Sequence, residues 1–354
     1  MNVTTDQLMK TVNTDDTRMQ VKPVPGKDES GHIDPRTLEE LSMTGEESSS
    51  EEKTSEPTVE MMRAGIGWSN AKDITTNELM IEDTEFAGIP VRTYVKKDIA
   101  NDVLPAIIFY HGGGFFGGSL NNVDLPCRRL ADLAEVRVFS VEYGLAPEHP
   151  YPEAVINAHQ SVVYIHHHHE ELKVNANHIN VMGDSAGGNL TYVVSLLDRL
   201  YGTNYINYAV SIYPVVYQGK NEALLNRFYD LSAIHAHEHK DLVHKHIKGF
   251  MHFFHFIDQW YIQGADAESW MISPYNVEGN LLKNMPRTLY IAGEYDALRL
   301  QGDAFYEKAK QAGADVYCLR YNGMIHAFMD KVGDYVQADD CLKESVKFIL
   351  EEAE

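Results

Sequence analysis

Ile179-Asn180-Val181-Met182-Gly183-Asp184-Ser185-Ala186-Gly187-Gly188-Asn189-Leu190-Thr191-Tyr192-Val193-Val194 is the stretch on which the fold turns. Residues 179–182 read as a short buried strand, and 187–194 as the start of a helix. Ser185 then occupies a sharp strand-to-helix turn. Such a turn is crowded, and its neighbours Gly183, Ala186 and Gly187 are small. The geometry pushes the hydroxyl outward while the helix aims its N-terminal N–H groups toward it. Taken alone, Gly-x-Ser-x-Gly also fits an ordinary strand–glycine–helix turn.

Upstream, Pro105-Ala106-Ile107-Ile108-Phe109-Tyr110 reads as a strand and runs into His111-Gly112-Gly113-Gly114. Successive glycines let the backbone approach a bound group closely and turn amides toward it, as in the glycine run that supplies an oxyanion-hole N–H in lipases and esterases. A phosphate-binding loop is the competing reading. No lysine follows at P-loop spacing, and Phe115-Phe116, better suited to an acyl group, follows instead. Downstream, the strand Thr288–Ala292 leads to Gly293-Glu294-Tyr295-Asp296. The strand Val316–Tyr321 leads to Asn322-Gly323-Met324-Ile325-His326. An acid and a histidine thus stand just past the carboxyl ends of two strands, where open α/β sheets gather their active groups. The order Ser185, Asp296, His326 is that of an α/β-hydrolase triad. Glu294 is a second carboxylate at the same strand end, and its offset from the strand favours Asp296.

With these segments in place the chain resembles the hormone-sensitive-lipase-like family of α/β-hydrolase esterases, in its bacterial acetyl-esterase and carboxylesterase branch. The resemblance is carried by HGGGFFGGS at 111–119, EYGLAPEHPYPEA at 142–154, GDSAGGN at 183–189, SPYN at 273–276, GEYDALR at 293–299 and IHAF at 325–328. It implies an oxyanion hole built from the N–H groups of Gly113, Gly114 and Ala186. It also implies a cap made from N-terminal segments and from the segment before the acid-bearing strand. Two positions depart from the pattern: Gly144 stands where the family usually has arginine, and Leu300 where an acid is usual.

Strand signals at 79–81, 91–95, 105–110, 136–141, 179–182, 208–213, 288–292 and 316–321 predict an α/β-hydrolase fold. Its sheet would be mostly parallel, eight-stranded and flanked by helices, with a helical cap. Residues 1–57 are polar and acidic, with Glu46-Glu47-Ser48-Ser49-Ser50-Glu51-Glu52 at their centre, and read as a mobile segment. Within it, Asp34 to Leu41 reads as a short helix with Asp34 as cap and Pro35 at its first position. The catalytic domain is expected over 58–354, with a cap insertion at about 217–275. Phe115 and Phe116 are candidate pocket residues, and Phe250, Phe253, Phe254, Phe256 and Trp260 are read mainly as cap core.

A formal net charge of −22 argues against nucleic acid as a partner. The chain has no eighteen-residue apolar run, and its N-terminus lacks the pattern of a signal peptide, so no membrane partner is expected. Three cysteines without a motif point to reduced thiols in a cytoplasm. The expected partner is a small-molecule ester, and a homodimer stays open. Triad chemistry calls for no cofactor. The histidine runs 166–169 and 235–246 suggest either a metal site or a solvated helix face. Without a zinc-site spacing they are read as the face, and no metal is assigned. The expected function is serine carboxylester hydrolysis of small short-acyl esters. The alternatives are an amidase or deacetylase on the same groups, or a hydrolase-fold protein that binds a small ligand without turnover.

Overall fold

The computed structural model describes residues 10–47 and 56–351. Ten strands form one sheet: β1 (Val12–Asn13), β2 (Met19–Lys22), β3 (Leu79–Phe86), β4 (Ile89–Lys96), β5 (Leu104–Tyr110), β6 (Arg137–Val141), β7 (Val174–Asp184), β8 (Ile206–Ile212), β9 (Arg287–Gly293) and β10 (Val316–Tyr321). Their spatial order is β1-β2-β10-β9-β8-β7-β5-β6-β4-β3. From β2 to β6 every neighbouring pair is parallel, while β3, β4 and β1 join antiparallel. The central strands are buried on both faces, as the runs Ile107-Ile108-Phe109 and Val138-Phe139 require. Helices 124–133, 153–167, 186–200, 299–311 and 336–350 cover those faces.

All eight expected strands are present, and the count of eight is corrected to ten. The additional pair comes from the segment read as mobile. Residues 1–9 and 48–55, including most of the acidic run, lie outside the described residues, but residues 10–47 are folded. Val21 of β2 pairs with Arg320 of β10, and Lys22 with Tyr321. The cause is tertiary. The open edge of β10 satisfies the backbone of a four-residue strand too short and polar to announce itself. Lys22 is buried there, bonded to Asp340 at 3.0 Å and Glu344 at 2.6 Å on the last helix.

The short helix runs longer than expected, Pro35–Glu47. Asp34 Oδ1 accepts from the N–H of Arg36 at 2.9 Å, as a capping side chain does. Its Leu41 packs with Ile234, Val243 and Ile247 of the segment between β8 and β9. That segment carries helices 222–228, 240–251 and 253–256 and one turn of π-helix, Ile257–Ile262. Among the described residues no helix is long and apolar enough to cross a membrane.

Candidate active site

β7 ends at Asp184, and Ser185 takes φ 53° and ψ −112° before the helix begins at Ala186. Such a conformation is strained for a residue with a side chain, and persists only where the surroundings enforce it. They do so here. The Ser185 N–H donates to Ile212 O at 2.9 Å. A Cβ at Gly187 would collide with the carbonyl of Tyr110, so the helix can pass this close to β5 only on a glycine.

His326 lies in the loop after β10. Its Nε2 is 2.9 Å from Ser185 Oγ, and its Nδ1 is 2.8 Å from Asp296 Oδ2. Asp296 is 1% exposed, and its other oxygen accepts from the N–H of Leu298 at 2.7 Å. The three side chains, taken from loops after β7, β9 and β10, therefore form one continuous hydrogen-bonded relay. Glu294 points elsewhere. It accepts from Gly31 N–H at 2.7 Å and Gly323 N–H at 2.9 Å, clasping the N-terminal segment to the histidine loop. Rings of Tyr213 and Phe250 flank His326, each with its centroid 4.7 Å away. The next residue, Ala327, has φ 59°, a left-handed conformation.

Gly113 and Gly114 line the same cavity as Ser185 and His326, a space of about 260 Å³. Gly113 has φ 118°, and a Cβ there would strike the backbone of Gly117, so the tight loop requires glycine. Its carbonyl accepts from the N–H groups of Phe116 at 3.3 Å and Gly117 at 2.9 Å. Ala186 stands at the first helical position, where an N–H has no intrahelical acceptor.

Phe115 and Phe116 are displaced from the pocket lining expected of them. Both are fully buried, Phe115 stacked on Tyr261 at 4.0 Å and Phe116 against Phe253 at 5.0 Å. The turn at Gly113–Gly114 folds their rings into the core beneath the loop. The cavity wall is Phe253 instead, with Phe250 beside it.

Arg63 gave no signal in the sequence. Its Nε donates to Phe116 O at 2.6 Å and its Nη2 to Ala146 O at 2.9 Å, while Glu148 pairs with the same guanidinium at 2.6 Å. A single side chain thus holds the glycine loop against the turn at 146–148. Glu148, itself in that turn, anchors it through the pair with Arg63.

Beneath the loop, Asp184 Oδ1 accepts from Gly112 N–H at 2.8 Å. Burial, reinforced by the nearby Asp330 charge, pushes the Asp184 carboxyl well above the usual range. Burial likewise pushes Asp330 up to about 6, with the His326 ring pulling the other way. His111, stacked on Tyr143, is held below the ordinary imidazole value by burial. The histidine run at the end of helix 153–167 packs on aromatics, His166 on Tyr205 and His168 on Tyr164. Among the described residues no group of three or more His, Cys, Asp or Glu is placed to hold a metal ion.

The site can be set beside known proteins. The carboxylesterase NlhH of Mycobacterium tuberculosis is 30% identical over 282 residues, covering 77% of this chain and 82% of its own length. The gibberellin receptor GID1A of Arabidopsis thaliana is 27% identical over 263 residues, covering 69% and 72%. Among solved structures, an esterase of Pyrobaculum calidifontis superposes with a TM-score of 0.73 at 28% identity, covering 90% of this chain and 98% of that one. A family model described as alpha/beta hydrolase fold matches residues 107–330, a span that holds the glycine loop, the serine turn, the acid and the histidine. The chain belongs to the alpha/beta hydrolase fold family, in its hormone-sensitive-lipase-like esterase group.

Proposed function

We propose that the chain is a serine carboxylester hydrolase acting on small esters with short acyl groups. The observation that carries this reading is the unbroken relay from Ser185 Oγ through His326 to Asp296, at 2.9 and 2.8 Å. A serine hydroxyl is a weak nucleophile until a base lies within hydrogen-bond reach. His326 Nε2 takes the Ser185 proton as Oγ bonds to the ester carbonyl carbon. The carbonyl electrons move onto oxygen, which the N–H groups of Gly113, Gly114 and Ala186 receive. The carbon–oxygen bond to the alcohol breaks, and His326 returns the proton to the leaving oxygen. Water, giving a proton to His326, then attacks the acyl carbon, the bond to Ser185 Oγ breaks with the acid released, and His326 returns the proton to Oγ. Asp296 holds the imidazole tautomer and stabilises the imidazolium. Residues 58–354 are read as the catalytic domain, with the insertion at about 217–275 as its cap. The unpaired cysteines Cys127, Cys318 and Cys341 suit a cytoplasmic setting.

The receptor among the relatives supports a second reading, a hydrolase fold that binds a small ligand without turnover. One experiment separates the two. Acetate and butyrate esters of p-nitrophenol are expected to turn over on the wild type, and Ser185→Ala to lower kcat by about 10⁴-fold or more. A folded wild type without turnover on any ester, or full activity in Ser185→Ala, overturns the proposal.

A further inference from the structure

A second cavity of about 470 Å³ lies beside the first and shares no wall residue with it. It is built after the end of β8 and under the helices between β8 and β9. Leu225, Tyr229, Met251, Phe254 and Ile262 form its apolar wall. The Lys220–Asp258 pair, 3.3 Å apart and exposed, marks its rim.

The helical segment 250–255 runs between the two spaces, with Phe250 and Phe253 on one side and Met251, Phe254 and His255 on the other. Phe250 lines the first cavity and packs on His326; Phe254 lines the second. The two rings meet edge to face, with centroids 6.3 Å apart. Phe254 also leans on Tyr229 at 5.7 Å. The partition straddles His252, where helix 240–251 ends and the short helix 253–256 begins.

We infer that the Phe250–Phe254 pair is the element that limits acyl length, by closing the catalytic cavity off from a chamber that already exists behind it. The inference rests on the ester-hydrolase reading. Chemistry assigns the direction. The first cavity is also lined by Asn122, Asp330 and Lys331, polar groups that suit the alcohol half of an ester. Its phenylalanine wall, Phe250 and Phe253, has behind it the apolar wall of the second cavity, which suits a hydrocarbon chain. The acyl arm therefore ends at the partition, and the native substrate class is esters of short acids.

The test is the ratio of kcat/KM for p-nitrophenyl octanoate to that for p-nitrophenyl acetate. In Phe254→Ala this ratio should rise, gaining about fourfold for each methylene that the opened chamber buries. Leu225→Trp added to Phe254→Ala refills the chamber from its far wall and should restore the wild-type ratio. Phe254→Leu, a milder change, should shift the ratio in the same direction by less. It gives the answer if the alanine variant fails to fold. An unchanged ratio in a folded Phe254 variant overturns the inference. So does a gain confined to acetates of longer alcohols, because the arm ending at the partition would then be the alcohol. A wild type inactive on every ester would sink the functional reading instead.

Discussion

The carboxyl edge of the sheet and the arm of residues 10–47 are held by opposite means. At the edge, each functional group follows a strand buried on both faces, and local sequence decides where it stands. Apolar runs place β7, β9 and β10, and small residues bend the turn at Ser185. The arm has almost no apolar run of its own. It is held by partners far along the chain: β10 for β2, the last helix for Lys22, Glu294 for Gly31, and Lys331 with Tyr335 for Glu40. The difference teaches that short polar segments fold as well as long apolar ones when a finished surface waits to pair with them.

That contrast can be broken by substitution. If the edge is organised for chemistry, Asp296→Asn should lose about 10⁴-fold in kcat while its melting temperature stays near that of the wild type. A modest loss of rate would mean that the relay does not hold the imidazole as described. If the arm is held by its buried charges, Lys22→Ala should cost about 3–5 kcal/mol. It leaves Asp340 and Glu344 facing a space without a cation. Urea unfolding measures this, and a change below about 1 kcal/mol would show the arm to be a passive covering. The smallest expected effect sharpens the comparison at the edge itself. Ala327→Gly should raise stability by about 1 kcal/mol, because Ala327 holds a positive φ that glycine adopts freely. A loss instead would mean that glycine's extra freedom in the unfolded chain outweighs the relief.

Legibility followed the same division. The eight longer strands, the serine turn and the chain order of Ser185, Asp296 and His326 could be read from the sequence, because the burial of the central strands and steric crowding at the turn leave marks on composition. β2 could not, since its cause is the edge of β10 and not its own four residues. Arg63 could not either. Its work is to satisfy carbonyls at Phe116 and Ala146, and nothing around residue 63 records that need. Phe115 and Phe116 were visible as aromatics, but which way a turn throws a ring depends on φ at Gly113 and Gly114. Residue types alone do not carry that angle.

The pairing of Met19 with Cys318 sets an order of events during synthesis. The β2 segment leaves the ribosome well before its partner strand, which lies far downstream in the chain. Until then β2 has only β1 as a strand neighbour, and the clasp at Glu294 lacks its contact with Gly323. The nascent chain must therefore carry an unfinished edge on β2 until β10 has emerged, and the seam that closes then is the one beside the histidine loop.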